Sequence, residues 1–185
     1  MPPLSSRLLR RVRAHLRGGG VIAYATAASF GLGCDPWNVR ALRKLFRVKR
    51  RPRGKGMIVI ADSWQRLAPL AAPLDAAEVA ALHEKWPGPH TWLVPAAARV
   101  PRVLRGRFKS IAVRVDAHPD AVRLARRLAM PLVSTSANRA GRRALRTARE
   151  CTRQFGRSVL VVHGRVSRAR RPSTVQDFAT RRIVR

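Results

Sequence analysis

Two short runs carry most of the groups able to do chemistry. The first, Val133-Ser134-Thr135-Ser136-Ala137-Asn138, closes an apolar segment with three hydroxyls and an amide, and Gly141 follows just after. A buried strand that delivers such groups to its end and then turns on glycine makes a rim for a polar ligand, although Ser, Thr and Asn also simply fill turns. The second run, residues 45–56, holds Arg47, Lys49, Arg50, Arg51, Arg53 and Lys55 around Pro52, Gly54 and Gly56. Pro52 and the glycines break any helix, so these cations sit in a loop entering a strand, where side-chain and backbone donors converge on phosphate. The dipole of the preceding helix explains part of that charge, but not a Lys-x-Arg-Pro spacing before a strand.

The elements that must position these runs alternate in type. The Arg-rich, acid-free start looks like a transit peptide, yet Leu8, Leu9, Val12 and Leu16 after the Ser5 and Ser6 caps argue for a first helix to residue 17. Gly18-Gly19-Gly20 ends it, and residues 21–24 form a buried strand. Asp35-Pro36 predicts a helix start, with Val39, Leu42, Leu45 and Phe46 as its apolar stripe. Residues 57–61 predict a strand, Asp62 and Ser63 open a short helix, and Asp75 with Glu78 predicts a capping box for a helix running to about Lys85. A strand follows through Val94, then a basic loop over residues 99–109, then a strand over 111–115. His118-Pro119 opens a helix, Pro131 starts the strand of the first run, and residues 142–157 predict a helix burying Leu145, Ala148, Cys151 and Phe155. A strand over 159–162, a loop over 165–171 and a strand from Ser173 complete the chain. With no linker or repeat, the pattern is one α/β domain over residues 1–185.

Composition narrows the partners. The 185 residues include 46% hydrophobic types, enough for a real core and against disorder. No apolar run approaches about 18 residues, so no membrane span is expected. Against 39 Lys+Arg stand 9 Asp+Glu, a net charge of +30 and a pI near 12.0. Such a surplus calls for a polyanion such as RNA, DNA or an anionic membrane face, while an Arg-biased genome would give the same count. Cys34 and Cys151 have no paired spacing, so neither zinc nor a disulfide framework is supported and a reducing cytoplasm is expected.

Within the strand at 111–115, Arg114 is expensive to bury unless an anion pairs with it, which makes it a candidate ligand contact. The loop over 99–109 holds Phe108 as its one aromatic, which favours contact with a nucleic-acid backbone over base readout. His90 reads as a turn residue. No nucleophile with its base and no pair of carboxylates stands out. The tools are cations, hydroxyls and amides, which bind and orient anions and neutralise developing charge, as in nucleotidyl transfer.

Taken together, Lys49-x-Arg51-Pro52, Lys55-Gly56, Ser134-Thr135-Ser136-Ala137-Asn138, Gly31-Leu32-Gly33-Cys34-Asp35-Pro36 and Trp86-Pro87-Gly88-Pro89-x-Thr91 resemble the YrdC-like family, in its short, single-domain form. The resemblance implies a twisted, mostly mixed β-sheet flanked by helices around a concave, positively charged groove. It implies synthesis of threonylcarbamoyl-adenylate and pyrophosphate from L-threonine, bicarbonate and ATP with Mg2+. Downstream threonylcarbamoyl-transferase proteins would then modify adenosine 37 of tRNAs. Carried over residue by residue, Lys49, Arg51 and Lys55 would hold the ATP phosphates, Lys49 and Arg51 being catalytic. Ser110, Ser136, Asn138 and Arg185 would contact nucleotide, and Thr26, Arg114, Ser134 and Ser173 would hold threonine or its carbamate. The magnesium would sit largely on phosphates and water, with no protein metal site. Direct contact with tRNA or double-stranded RNA would use the basic surface.

One departure stands out. The family's Pro-Thr-Glu triplet is here Ala25-Thr26-Ala27. With the charge, that loss favours an alternative, a catalytically impaired relative that binds tRNA or rRNA. A carbamoyl-transfer module like that of hydrogenase-maturation proteins is the other alternative, though those chains are much longer.

Overall fold

The structure, a computed structural model, describes residues 5–52, 54–167, 169 and 172–185. Residues 1–4 of the first segment and Arg53, Arg168, Arg170 and Arg171 of the two basic loops lie outside the described residues. Helix α1 (Ser6–Arg17) starts where the Ser5 hydroxyl accepts the Leu8 N–H at 3.2 Å. β1 (Ile22–Ala25) and β2 (Phe30–Gly33) follow as an antiparallel pair. Helix α2 (Val39–Lys49) begins later than Asp35-Pro36 suggests. Its cap is Asn38, whose side chain accepts the Ala41 N–H at 3.0 Å, while Asp35 closes a preceding turn on the Trp37 N–H at 2.9 Å. Asn and Asp cap equally well, so the apolar stripe decides between them.

β3 (Ile58–Ala61), α3 (Trp64–Leu67), α4 (Ala76–His83) with its Asp75–Glu78 capping box, and β4 (His90–Pro95) come next. The segment read as a basic loop contains one helical turn, α5 (Arg102–Arg105), because Leu104 is drawn fully into the core. After β5 (Ser110–Val115), α6 (Pro119–Leu128) and β6 (Leu132–Ser136), helix α7 covers only Ala148–Phe155. Thr147 and Glu150 form a capping box there and release residues 142–146 as a loop. β7 (Leu160–Val161) and β8 (Thr174–Asp177) complete the sheet.

Among the described residues eight strands form one sheet, in the order β7-β1-β2-β6-β3-β5-β4-β8. Pairs β1–β7, β3–β5 and β4–β8 are parallel and the rest antiparallel, so the sheet is mixed as expected. Alternation along the strands sorts side chains into two layers. On one face Ala23, Val59, Val113 and Val133 pack under α2, α3, α4, α5 and α7, through residues such as Leu45, Trp64, Leu82, Leu104 and Phe155. On the other, Ile22, Tyr24, Ile60 and Leu132 pack under α1 and α6 through Leu9, Val12, Leu16, Leu124 and Leu128. Cys151 belongs to the first layer as expected, and burial pushes its thiol up to about 12. The register places Ala112 beside Ile58 and Arg114 beside Ile60, so β5 presents Ser110, Ala112 and Arg114 on the α1/α6 face. Those helices leave that half of the sheet uncovered, and the gap is the cleft described next.

Candidate active-site cleft

The cleft has a volume of about 930 Å³. Its floor is made by β6 and β5. Ser134 lies beside Ile58 of β3, and Ser136 beside Gly31 of β2, so both hydroxyls project to the open face. A Cβ on Gly31 would come within 3.1 Å of Thr26 Cγ2 and 3.6 Å of Ser134 Oγ, and glycine here keeps the space between those two side chains open.

The cationic run forms one wall. At the end of α2, Arg50 takes a left-handed conformation (φ 52°) and turns the chain so that Lys49 and Arg51 point to different places. Lys49 does not line the cleft. Its ammonium is buried and donates to the Ser136 carbonyl, to the Asn138 carbonyl at 3.0 Å and to Asn138 Oδ1 at 3.3 Å. Burial, and then the nearby Arg51, push it down to about 8, so it stays mostly protonated at neutral pH. Lys49 thus holds the Ser136–Asn138 turn in shape from behind. The signal was in the helix period, since Lys49 follows Leu42, Leu45 and Phe46 by seven, four and three residues and shares their buried stripe. Asn138 likewise does not line the cleft and serves the turn, accepting the Ser136 hydroxyl at 2.6 Å and donating to the Arg142 carbonyl at 2.6 Å.

Arg51 and Lys55 do line it. Arg51 donates from Nη2 to the Gly56 carbonyl at 2.9 Å, and its Nε is buried without a partner among the described residues. Burial, and then Arg185, hold the Arg51 guanidinium below its usual range. Gly54 (φ +98°) and Gly106 (φ +70°) bring two loops together. A Cβ on Gly106 would lie 2.3 Å from the Gly54 carbonyl oxygen, which accepts the Arg107 N–H at 3.2 Å. This contact gathers Lys55, Arg105, Arg107 and Phe108 at the mouth.

Arg114 lines the cleft and also finds an anion within the protein. Asp116 Oδ2 accepts from its Nε at 2.9 Å and Nη2 at 2.6 Å, and both side chains are nearly buried. The two residues lie two apart where β5 ends, a spacing that carries side chains to one side of a strand and was legible in the sequence. Arg114 Nη1 continues to Thr91 Oγ1 at 3.3 Å. Thr91 donates to Ser173 Oγ at 3.1 Å, which also receives Arg185 Nη2 at 3.4 Å. Asp116 is the one carboxylate among the described lining residues. The other acids are largely committed elsewhere: Asp75 and Glu150 to caps, Asp62 to Arg66 and Arg126, and Asp120 to the Arg165 N–H.

The loop over residues 26–29 forms the remaining wall. Thr26 donates its hydroxyl to the Ser29 carbonyl at 2.6 Å, and its N–H reaches the same oxygen at 3.0 Å. Arg146 holds the loop, donating to the Ala28 carbonyl at 2.7 Å and to the Ser167 carbonyl at 3.1 Å. Asp116 lines the cleft and Thr91 and Arg146 bond to residues that do, yet none of the three stands out in the sequence as a site residue. His90 starts β4, half-buried against the Trp92 ring at 4.4 Å, outside the cleft lining. Among the described residues no group of three or more His, Cys, Asp or Glu could hold a metal ion.

A mixed sheet flanked by helices, with Ser134 and Ser136 on the cleft floor and Arg51, Lys55, Arg105 and Arg107 among the lining side chains, defines the chain as an α/β domain. The chain belongs to the Sua5/YciO/YrdC family, whose model, described as "Telomere recombination", matches residues 14–185. It is 54% identical over 176 residues to a protein of Methylobacillus flagellatus named threonylcarbamoyl-AMP synthase, covering 95% of this chain and 98% of that one. A Chromobacterium violaceum protein of the same name is 51% identical over 180 residues, covering 97% of this chain and 93% of that one. The crystal structure of P. abyssi Sua5 complexed with L-threonine superposes with a TM-score of 0.84 at 29% identity, over 94% of this chain and 51% of that longer one.

Proposed function

We infer that this chain condenses L-threonine, bicarbonate and ATP into threonylcarbamoyl-adenylate and pyrophosphate, for modification of adenosine 37 in tRNA. The observation that carries the reading is identity above half, over nearly the full length, with a threonylcarbamoyl-AMP synthase. The cleft supports it, because the sequence-derived residues converge there, with Lys49 and Asn138 shaping the floor from behind. In the reaction the threonine amine attacks the bicarbonate carbon with loss of water, giving a carbamate. A carbamate oxygen then attacks the α-phosphorus and pyrophosphate leaves.

Arg51, Lys55 and Arg185 would hold the phosphates and neutralise charge on the departing pyrophosphate. Arg51 brings an unpaired buried N–H to that task. Ser110, Ser136 and the turn at Asn138 would seat the nucleotide, and Thr26, Arg114, Ser134 and Ser173 the amino acid and its carbamate. Limiting water around the fragile carbamate would protect it in the cleft. Magnesium would enter on the ATP phosphates and water. Asp116, with its oxygens taken by Arg114 and the His118 N–H at 2.8 Å, offers the ion no free carboxylate.

The basic surface, including the exposed arginines of α1 and α6, supports a direct contact with tRNA or double-stranded RNA on the way to the transferase proteins. No helix among the described residues is long and apolar enough to cross a membrane, and work on tRNA would place the chain in the cytoplasm. The test is pyrophosphate release from ATP and bicarbonate with L-threonine, L-serine or no amino acid, using protein freed of nucleic acid. Threonine-dependent release is expected. No release with any amino acid, from folded protein that still binds RNA, would favour the impaired RNA-binding reading that Ala25 and Ala27 suggest.

A further inference from the structure

The motif Trp86-Pro87-Gly88-Pro89-x-Thr91 resembles its family without a task for its threonine. In the structure Thr91 is fully buried on β4, next to Val175 of β8 and one step beyond the Trp92–Val113 pair of β5. That register sets its hydroxyl between Arg114 and Ser173, at 3.3 Å and 3.1 Å.

Donor and acceptor chemistry gives this chain of contacts a direction. A guanidinium can only donate, so Arg114 fixes Thr91 Oγ1 as its acceptor and leaves the Thr91 proton for Ser173. Ser173 Oγ then accepts from Thr91 and, at 3.4 Å, from Arg185, which also can only donate. With its lone pairs engaged from two sides, the Ser173 hydroxyl has only its own proton to offer, and Ser173 lines the cleft. Asp116 anchors the start of the series by holding Arg114 through two nitrogens.

We propose that Thr91 is a positioning residue that polarises Ser173 as a donor toward an anionic oxygen of the substrate, the carboxylate of the amino acid. The inference rests on the synthase reading and assigns Thr91 no contact with substrate. A hydroxyl free to rotate would split its time between donating and accepting, and binding of a carboxylate would have to select the donor orientation. The relay makes that selection in advance.

The test compares Thr91→Val, which keeps the shape and removes the hydroxyl, with Thr91→Ser, which restores it, in the pyrophosphate-release assay alongside thermal melts. For Thr91→Val the KM for threonine should rise about tenfold with kcat and the KM for ATP within about threefold of wild type. Thr91→Ser should recover the wild-type KM to within about threefold. In a Ser173→Ala background, Thr91→Val should add nothing further to the threonine KM. A Thr91→Val enzyme with unaltered threonine KM would overturn the relay, as would a full additional penalty in the Ser173→Ala background. If the valine variant is unfolded, Thr91→Ser decides alone: near-wild-type KM supports the relay, and a tenfold rise overturns it. A wild-type chain with no threonine-dependent release at all would overturn the synthase reading, and this inference with it.

Discussion

The floor of the cleft and its mouth are built on different principles. On the floor, polar side chains are held by one another: Ser136 by Asn138, the turn at Asn138 by Lys49, Arg114 by Asp116, Ser173 by Thr91. At the mouth, Lys55, Arg105 and Arg107 are brought together by backbone, through glycines at 54 and 106. The floor is therefore organised before any ligand arrives, while at the mouth Arg105 donates to the Phe108 carbonyl, Arg107 lies over the Phe108 ring, and an incoming anion must order Lys55. Groups fixed in advance act on the reacting atoms at little reorganisation cost, whereas mobile surface charge mainly attracts and is screened by salt.

The sharpest break of this contrast is at Arg51, where wall and floor meet. Arg51→Ala should lower kcat/KM for pyrophosphate release by at least about a hundredfold with the melting temperature little changed. A tenfold or smaller loss would place the phosphates elsewhere. Next is Lys49, whose folded value of about 8 lies below the usual 10.5. Between those pH values the unfolded chain binds the proton and the folded chain does not, so stability gains on the order of 2 kcal/mol as pH rises through the window and is flat below it. Denaturant titrations from pH 7 to 10.5 should show the stability difference between wild type and Lys49→Met shifting by that amount in favour of wild type, a difference that cancels the opposing loss from the buried Cys34 and Cys151 thiols, which burial pushes up.

Arg146→Ala should then raise the KM for threonine about tenfold, since two carbonyl contacts position the loop over residues 26–29. At the mouth, Lys55→Ala should raise the KM for ATP only about fivefold, and added salt should erase most of the difference. The smallest effect is expected from restoring Pro and Glu at positions 25 and 27. With Arg146 and Thr26 already holding the loop, kcat/KM should change by less than about threefold. A large gain would show that the loop is impaired rather than compensated.

Local chemistry made much of this legible in the sequence. The α4 capping box, the alternating elements and the cations before β3 follow from spacing within one turn or one strand. Lys49 was visible as a cation, but the charge of its neighbours hid the helix period that turns it inward. The start of α7 was misplaced because Leu145 continues the apolar period while its backbone bonds to Ala137 and Phe30 instead. Arg146 reaches Ala28 across 118 residues, and Thr91 reaches Ser173 across 82. Such contacts depend on strand order, which a single sequence does not encode locally, so no spacing rule could have paired them.

Carbon from bicarbonate should join threonine to AMP in this cleft. Incubating the chain with ATP, L-threonine and 13C-bicarbonate, then reading the adenylate products by mass spectrometry, tests it directly. Wild-type protein should give threonylcarbamoyl-adenylate carrying one 13C, and Arg51→Ala should give almost none. An adenylate of threonine without label, or equal labelled product from Arg51→Ala, would rule out this chemistry at Arg51.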